Sequence, residues 1–128
     1  MSKIIILDAS ALIALIYEEK GMDVVEKHLP HAEISAVNWS EVICYMIRQG
    51  LNPSEVTKLL TDLSLPIIDF TETQAVSAAV LIEKTSSKGL SFGDRACLSL
   101  AMQKNCLALT ADKVWGTLKL DINIELIR

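Results

Sequence analysis

Four acidic residues, Asp8, Glu41, Asp94 and Asp112, occupy positions from which side chains can do chemistry. Asp8 ends the run "KIIILD", and Asp112 stands just past a second apolar run, in "ALTAD". Short apolar runs of this kind read as strands, and the continuous β-branched "KIIILD" as a central one buried on both faces. If those strands are parallel, both acids fall on one edge of the sheet, the edge where open parallel sheets bind ligands. Glu41 opens a helix that follows "ISAV", so it starts from the same edge. Asp94, in "SFGDRACLSLA", follows a helix and not a strand. It reaches that edge only if the connection from Gly89 to Gly93 returns it there. At about 100° per residue it shares a stripe with Cys97, Leu98 and Ala101, which is expected to face the core.

Each acid also has a plainer use. Asp8 can cap the first helix. Glu41 shares its helix face with Cys44, Tyr45 and Arg48 and can pair with Arg48. Asp112 can cap a surface helix, and Asp94 with Ser91 forms a capping-box pattern. The combination points to chemistry. Clustered carboxylates raise one another's pKa, and burying uncompensated charge is costly. A cation removes that cost. All-oxygen ligation suits Mg²⁺ or Mn²⁺ and not zinc. In phosphoryl chemistry one such ion generates and orients hydroxide while a second stabilises the leaving oxygen. The stripe position sets the Asp94 charge against the other acids, at the positive end of a helix. That argues against its being the second half of the box with Ser91. Geometry decides whether it reaches toward Asp8 or folds back to the Ser91 amide.

The elements that must position these groups read as strands alternating with one or two helices. "KIIILD", "AEISAV", "LPIIDF", "CLALT" and "INIELI" are the strands. "SALIALIYEEKG", "MDVVEKHL", "NWSEVICYMIRQG", "NPSEVTKLLTDLS", "TETQAVSAAVLIEKTSS" and the Ser91 stretch are the helices. Asn38 is expected to cap the third, Asn52 the fourth with Pro53 in its first position, and Thr71 with Gln74 to box the fifth. The alternation implies parallel βαβ units: an α/β three-layer sandwich with a central, mainly parallel five-stranded sheet between helices.

The 128 residues fit one domain, residues 1–128, and a 51% hydrophobic composition supplies its core. A net charge of −4 argues against affinity resting on a broad basic face, although bound metal can reverse the local sign. Cys44, Cys97 and Cys106 have neither metal-finger nor redox spacing and read as reduced, mostly buried thiols of a cytosolic protein. "MSKIIILDAS" is interrupted too early by Asp8 for a signal peptide, and no run approaches the length of a membrane helix. His28 and His31, in "HLPH", read as an exposed turn. Trp39 and Trp115 read as packing residues, with base stacking as the alternative. "LIALIY" and "VVEKHL" fit either the core or a partner groove.

In order along the chain, "ILDASALIAL", "ISAVNWSEVI", "GLSFGDRACLSLA" and "LTADKVWGTL" resemble the motifs of PIN domains, specifically the VapC-like toxins of bacterial toxin–antitoxin pairs. "INIELIR" resembles their closing strand. The resemblance implies a metal-dependent ribonuclease, commonly a homodimer, held inactive by a VapB-like antitoxin; the oxygen donors make the metal Mg²⁺ or Mn²⁺, and the reduced thiols set the expected location as cytoplasmic. It maps the family's acids onto Asp8, Glu41, Asp94 and Asp112, and its supporting polar residues onto Ser10 and Thr110. Arg95 and Lys113 follow two of the acids and are candidates to contact RNA phosphate, against the reading of ordinary solvated charge. The rival is a receiver-type phosphoacceptor domain with Asp69 as the modified residue. It lacks the paired acid after Asp8 and the lysine on the last strand. A haloacid-dehalogenase-type phosphatase would need an aspartate where Ser10 stands.

Overall fold

The computed structural model describes residues 3–128; Met1 and Ser2 of the opening segment lie outside them. Five strands form one sheet: β1 (Ile5–Leu7), β2 (Ala32–Ser35), β3 (Ile67–Ile68), β4 (Leu107–Thr110) and β5 (Ile124–Leu126). Their order is β3-β2-β1-β4-β5, and every pairing is parallel. The order reverses at β1, which lies between β2 and β4. A crevice opens at such a switch point, outside the carboxyl ends of the strands.

The helices cover both faces of the sheet, as a three-layer sandwich requires. They are α1 (Ala9–Ile16), α2 (Met22–His28), α3 (Ala36–Arg48), α4 (Pro53–Thr61), α5 (Glu72–Val80), α6 (Ile82–Thr85) and α7 (Phe92–Lys104). Strand side chains alternate between the two cores. Ile5, Leu7, Ile34 and Leu109 join Leu12, Val25, Val42, Met46 and Val56 on the α1–α4 side. Ile6 and Ala108 join Cys97, Leu98, Leu100 and Ala101 of α7 on the other. "LIALIY" and "VVEKHL" therefore contribute Leu12, Ala14 and Val25 to the core. From Ala96 to Ala101 α7 is buried without a break, the pattern of a helix packed on several sides.

Several boundaries and caps differ from the sequence reading: α1 stops at Ile16, before Gly21, and the stretch after Thr71 divides into α5 and α6. "AEISAV" ends as a strand at Ser35, whose side chain accepts from the Val37 N–H at 3.2 Å and caps α3. Asn38 is therefore not the cap but a buried residue inside the helix. "LPIIDF" pairs only through Ile67 and Ile68, because β3 is an edge strand with one neighbour. Thr71 caps α5 as expected, but Gln74 turns away to donate to Gln103 at 2.6 Å, so the second half of that box is missing. The edge position of β3 also removes the receiver reading. Asp69 follows an outer strand and is exposed, whereas the receiver sheet order, 2-1-3-4-5, keeps its third strand inside.

Candidate active site

Asp8, Glu41, Asp94 and Asp112 line one cleft of about 510 Å³ at the carboxyl edge of the sheet, together with Ala9, Ser10, Ile13, Cys44, Tyr45 and Arg48. The acids come from four separated stretches, brought together by the switch point. Asp8 leaves β1 and hydrogen-bonds through its N–H to the Leu109 carbonyl of β4 at 2.9 Å. Asp112 follows β4, Glu41 lies in the second turn of α3, and Asp94 lies in the first turn of α7.

Asp8 is 4% exposed and occupies the N-cap position of α1, yet its side chain makes no capping bond. Its carboxylate is held from elsewhere. Ser10 Oγ donates to Oδ2 at 2.7 Å and Thr110 Oγ1 donates to the same oxygen at 2.9 Å. The two hydroxyls lie 3.2 Å apart. Each has one proton to give, and each in turn accepts a backbone N–H: Ala111 to Ser10 at 3.0 Å and Asp112 to Thr110 at 3.1 Å. This network fixes the loop after β4 against β1. It also saturates Oδ2, so Oδ1 is the Asp8 oxygen available for a cation.

Burial pushes the Asp8 pKa up to about 6, and the charges of Asp94 and Glu41 push the same way against the Ser10 and Thr110 bonds. Glu41 and Asp94 are also raised, first by burial; the Asn38 bond opposes this at Glu41 and the Ser91 bonds oppose it at Asp94. Beneath the acids, burial holds the Cys97 thiol well above its ordinary range, and the charges of Asp8, Asp94 and Glu41 add to that. The site thus carries excess negative charge that a cation would relieve.

Asp94 answers the geometric question against the sequence reading. Its Oδ2 accepts from the Ser91 N–H at 2.9 Å, and its own N–H donates to Ser91 Oγ at 3.2 Å, a complete capping box. The side chain nevertheless lines the cleft. One oxygen caps the helix, and the other is left for the site. Asp112 is shared in the same way: Oδ1 accepts from the Val114 N–H at 3.0 Å. Capping and site function are compatible because a carboxylate has two oxygens.

Glu41 is positioned by two residues that sequence reasoning did not assign to the site. Asn38 Nδ2 donates to Glu41 Oε1 and to the Gly93 carbonyl, both at 2.9 Å, and so ties α3 to the start of α7. A Cβ on residue 93 would stand 2.1 Å from Glu41 Oε2 and 2.5 Å from its Cδ, so glycine leaves the space the carboxylate fills. The available signal was Asn38 standing three residues before Glu41, one helical turn away on the same face. Among the described residues no three His, Cys, Asp or Glu side chains stand as a ready-made metal cage. The acids ring the cleft, each oriented by its own hydrogen bonds: Asp8 by Ser10 and Thr110, Glu41 by Asn38 and Asp94 by Ser91.

The remaining candidates are placed elsewhere. Arg95 turns away from the cleft: Nη1 donates to the Ala78 carbonyl at 2.8 Å, and the guanidinium lies 5.9 Å from the Phe92 ring centroid. Lys113 is exposed and does not line the cleft. His28 is half-buried and 3.5 Å from Glu125, not in an exposed turn, while His31 is exposed, so the pair does not converge. Trp115 is fully buried. Cys97 and Cys106 are buried as expected, but Cys44 is exposed at the cleft. No helix of the described residues is long and apolar enough to cross a membrane.

Comparison with curated proteins finds no match. Solved structures of similar fold include DNA-bound VapBC from Salmonella typhimurium, at 16% identity over 98% of both chains with a TM-score of 0.75. VapBC2 from Rickettsia felis, bound to a promoter DNA fragment, is 20% identical over 95% of this chain and 97% of that one, with a TM-score of 0.72. VapBC-1 from nontypeable Haemophilus influenzae is 17% identical over 97% and 98%, also with a TM-score of 0.72. At these identities the likeness speaks to the fold. The sequence model of the PIN domain matches residues 5–119, nearly the whole sheet and all four acids, and the chain belongs to the PIN-domain family.

Proposed function

We propose that the protein is a Mg²⁺- or Mn²⁺-dependent endoribonuclease, the toxin of a toxin–antitoxin pair that a VapB-like antitoxin neutralises. The observation that carries this reading is the meeting of Asp8, Glu41, Asp94 and Asp112 in one cleft at the switch point of the sheet. PIN-family membership supports the nuclease chemistry. The similarity to VapBC complexes supports the antitoxin partner. The homodimer and the cytoplasmic site of action belong to the same reading.

The donor set fits a hard divalent cation. All four groups offer oxygen, burial and repulsion raise the pKa values of Asp8, Glu41 and Asp94, and Gly93 leaves room for the Glu41 carboxylate. Asp8, Glu41 and Asp94 would hold the ion directly or through water, and Asp112 would complete that site or help to seat a second. Bound there, the ion would supply Lewis acidity to the phosphoryl group and lower the pKa of water. The chain's own part is positioning. Ser10 and Thr110 aim Asp8, Asn38 aims Glu41, and Ser91 aims Asp94. In hydrolysis the water oxygen bonds to phosphorus as one ester P–O bond breaks, and the water protons end on the departing ribose oxygen and in solvent.

The test is expression of the protein in cells and sequencing of newly formed RNA 5′ ends, with Asp94→Ala as control. Discrete new ends and growth arrest with the parent chain, both absent with Asp94→Ala, are expected. Identical ends from the two proteins, or none from the parent chain, would remove the reading. A small adjacent reading frame whose product co-purifies with the chain and suppresses cleavage is the expected sign of the antitoxin.

A further inference from the structure

We propose that Arg48 is the substrate anchor of the cleft, its guanidinium gripping an RNA phosphate adjacent to the one being cleaved. The inference rests on the nuclease reading and adds a residue to it. Glu41, Cys44, Tyr45 and Arg48 follow one another at intervals of three, one and three residues, and all four line the cleft, so one face of α3 forms its wall. Among the described residues that line it, Arg48 is the one cation.

Its charge is not spent on the protein. The ion pairs among the described residues join Lys104 to Glu33 and Arg128 to Glu19, His28 lies 3.5 Å from Glu125, and none of these contacts uses Arg48. The pair with Glu41 that the sequence allowed is absent, because Glu41 is held instead by Asn38. Arg95, the other arginine near the acids, is committed to the Ala78 carbonyl.

The electrostatics ask for such a group. A polyanion approaching a chain of net charge −4, at a cleft rimmed by four carboxylates, is repelled except where positive charge faces it. Seven residues along a helix is about 10 Å. Arg48 stands two turns along α3 from Glu41, on the same wall of the cleft, and is placed for a phosphate neighbouring the one held at the acids. A guanidinium presents paired donors that match phosphate oxygens. Arg48 also lies in the last turn of α3, where a cation suits the helix dipole. A purely structural role there would show in stability and not in substrate affinity.

The experiment uses the full chain with Mg²⁺ and a single-stranded RNA oligonucleotide, comparing the parent with Arg48→Ala and Arg48→Lys. Arg48→Ala should raise KM about tenfold or more, as loss of a hydrogen bond to a charged group implies. Its kcat should stay within about twofold of the parent and its thermal midpoint should not move. RNA affinity measured on Asp94→Asn protein, which does not cut, should lose about 0.7 from its log–log salt slope when Arg48→Ala is added. Arg48→Lys should restore that slope and part of the affinity, since it keeps the charge but not the paired donors. An unchanged KM and slope in Arg48→Ala, or a fall in kcat or stability alone, overturns the anchor while leaving the nuclease reading intact. RNA bound with an Arg48-dependent slope but never cut overturns the nuclease reading and not the anchor. RNA neither bound nor cut overturns both.

Discussion

Asp8→Asn is expected to stabilise the cation-free protein at neutral pH. The Asp8 carboxyl titrates at about 6 in the fold against the usual 3.8, chiefly because it is buried. A carboxyl raised in this way binds its proton more tightly in the folded chain than in the unfolded one. Stability from this group is therefore fully present below pH 3.8 and falls as pH rises, until the loss is complete above about 6. At about 1.4 kcal/mol per pKa unit, the gap corresponds to an upper bound of about 3 kcal/mol. Asparagine is nearly isosteric, cannot ionise, and keeps one oxygen to accept from Ser10 and Thr110. At pH 7.5 and in EDTA the variant should exceed the parent by about 1–3 kcal/mol, or roughly 3–10 °C for a chain of this size. The difference should vanish near pH 4. Adding Mg²⁺ to about one hundred times its Kd should stabilise the parent by about 2.7 kcal/mol and the variant by much less. Urea and thermal unfolding from pH 4 to 8, with and without Mg²⁺, measure all of this. A variant less stable than the parent at every pH, with the same response to Mg²⁺, would refute the reasoning that Asp8 is a buried charge awaiting a cation.

Other residues supply independent checks. Gly93→Ala places a Cβ where the Glu41 carboxylate lies; the flexible end of Glu41 gives way, so stability should change by less than about 1 kcal/mol, helped by alanine's helix propensity, while RNA cleavage falls at least about tenfold, the effect of losing about 1.4 kcal/mol of transition-state stabilisation. Unaltered cleavage would show that the Glu41 position does not matter. Trp115, fully buried in the α7 core, should cost about 3–5 kcal/mol as Trp115→Ala, read by urea unfolding; a small loss with impaired RNA binding would favour the stacking role instead. Under native conditions Cys44 should react with one equivalent of a thiol reagent, whereas Cys97 and Cys106 should react only after unfolding, as peptide mapping by mass spectrometry would report.

The arrangement of the sheet was legible because its signals are local. A short apolar run followed closely by an acid, as at Leu7–Asp8 and Thr110–Asp112, marks a central parallel strand and the edge where its ligand binds. Glu41 and Asp94 were legible as helix-opening acids. Less legible was what depends on partners distant in sequence. Ala36 and Val37 look like strand residues, and only the Ser35 cap shows that the helix has already begun. That three-residue displacement of the cap, from Asn38 to Ser35, turns Asn38 into the buried tie between Glu41 and Gly93. Reading Asp94 as either cap or site residue missed that one carboxylate serves both. Arg95 follows Asp94 directly, but adjacent helix residues point about 100° apart. Its side chain lies on α5, and the cation at the cleft is Arg48, two turns from Glu41 on another helix.

If Asp8, Glu41, Asp94 and Asp112 share a divalent cation used to cut RNA, cleavage must depend on both the ion and the acids. Cleavage of a single RNA by the purified chain, followed in Mg²⁺, in Mn²⁺ and in excess EDTA beside Asp94→Asn, tests it most directly. Cleavage is expected with either ion, none in EDTA, recovery when Mg²⁺ is restored, and a loss of several orders of magnitude in the variant. Undiminished cleavage in EDTA, or an Asp94→Asn protein as active as its parent, would contradict it.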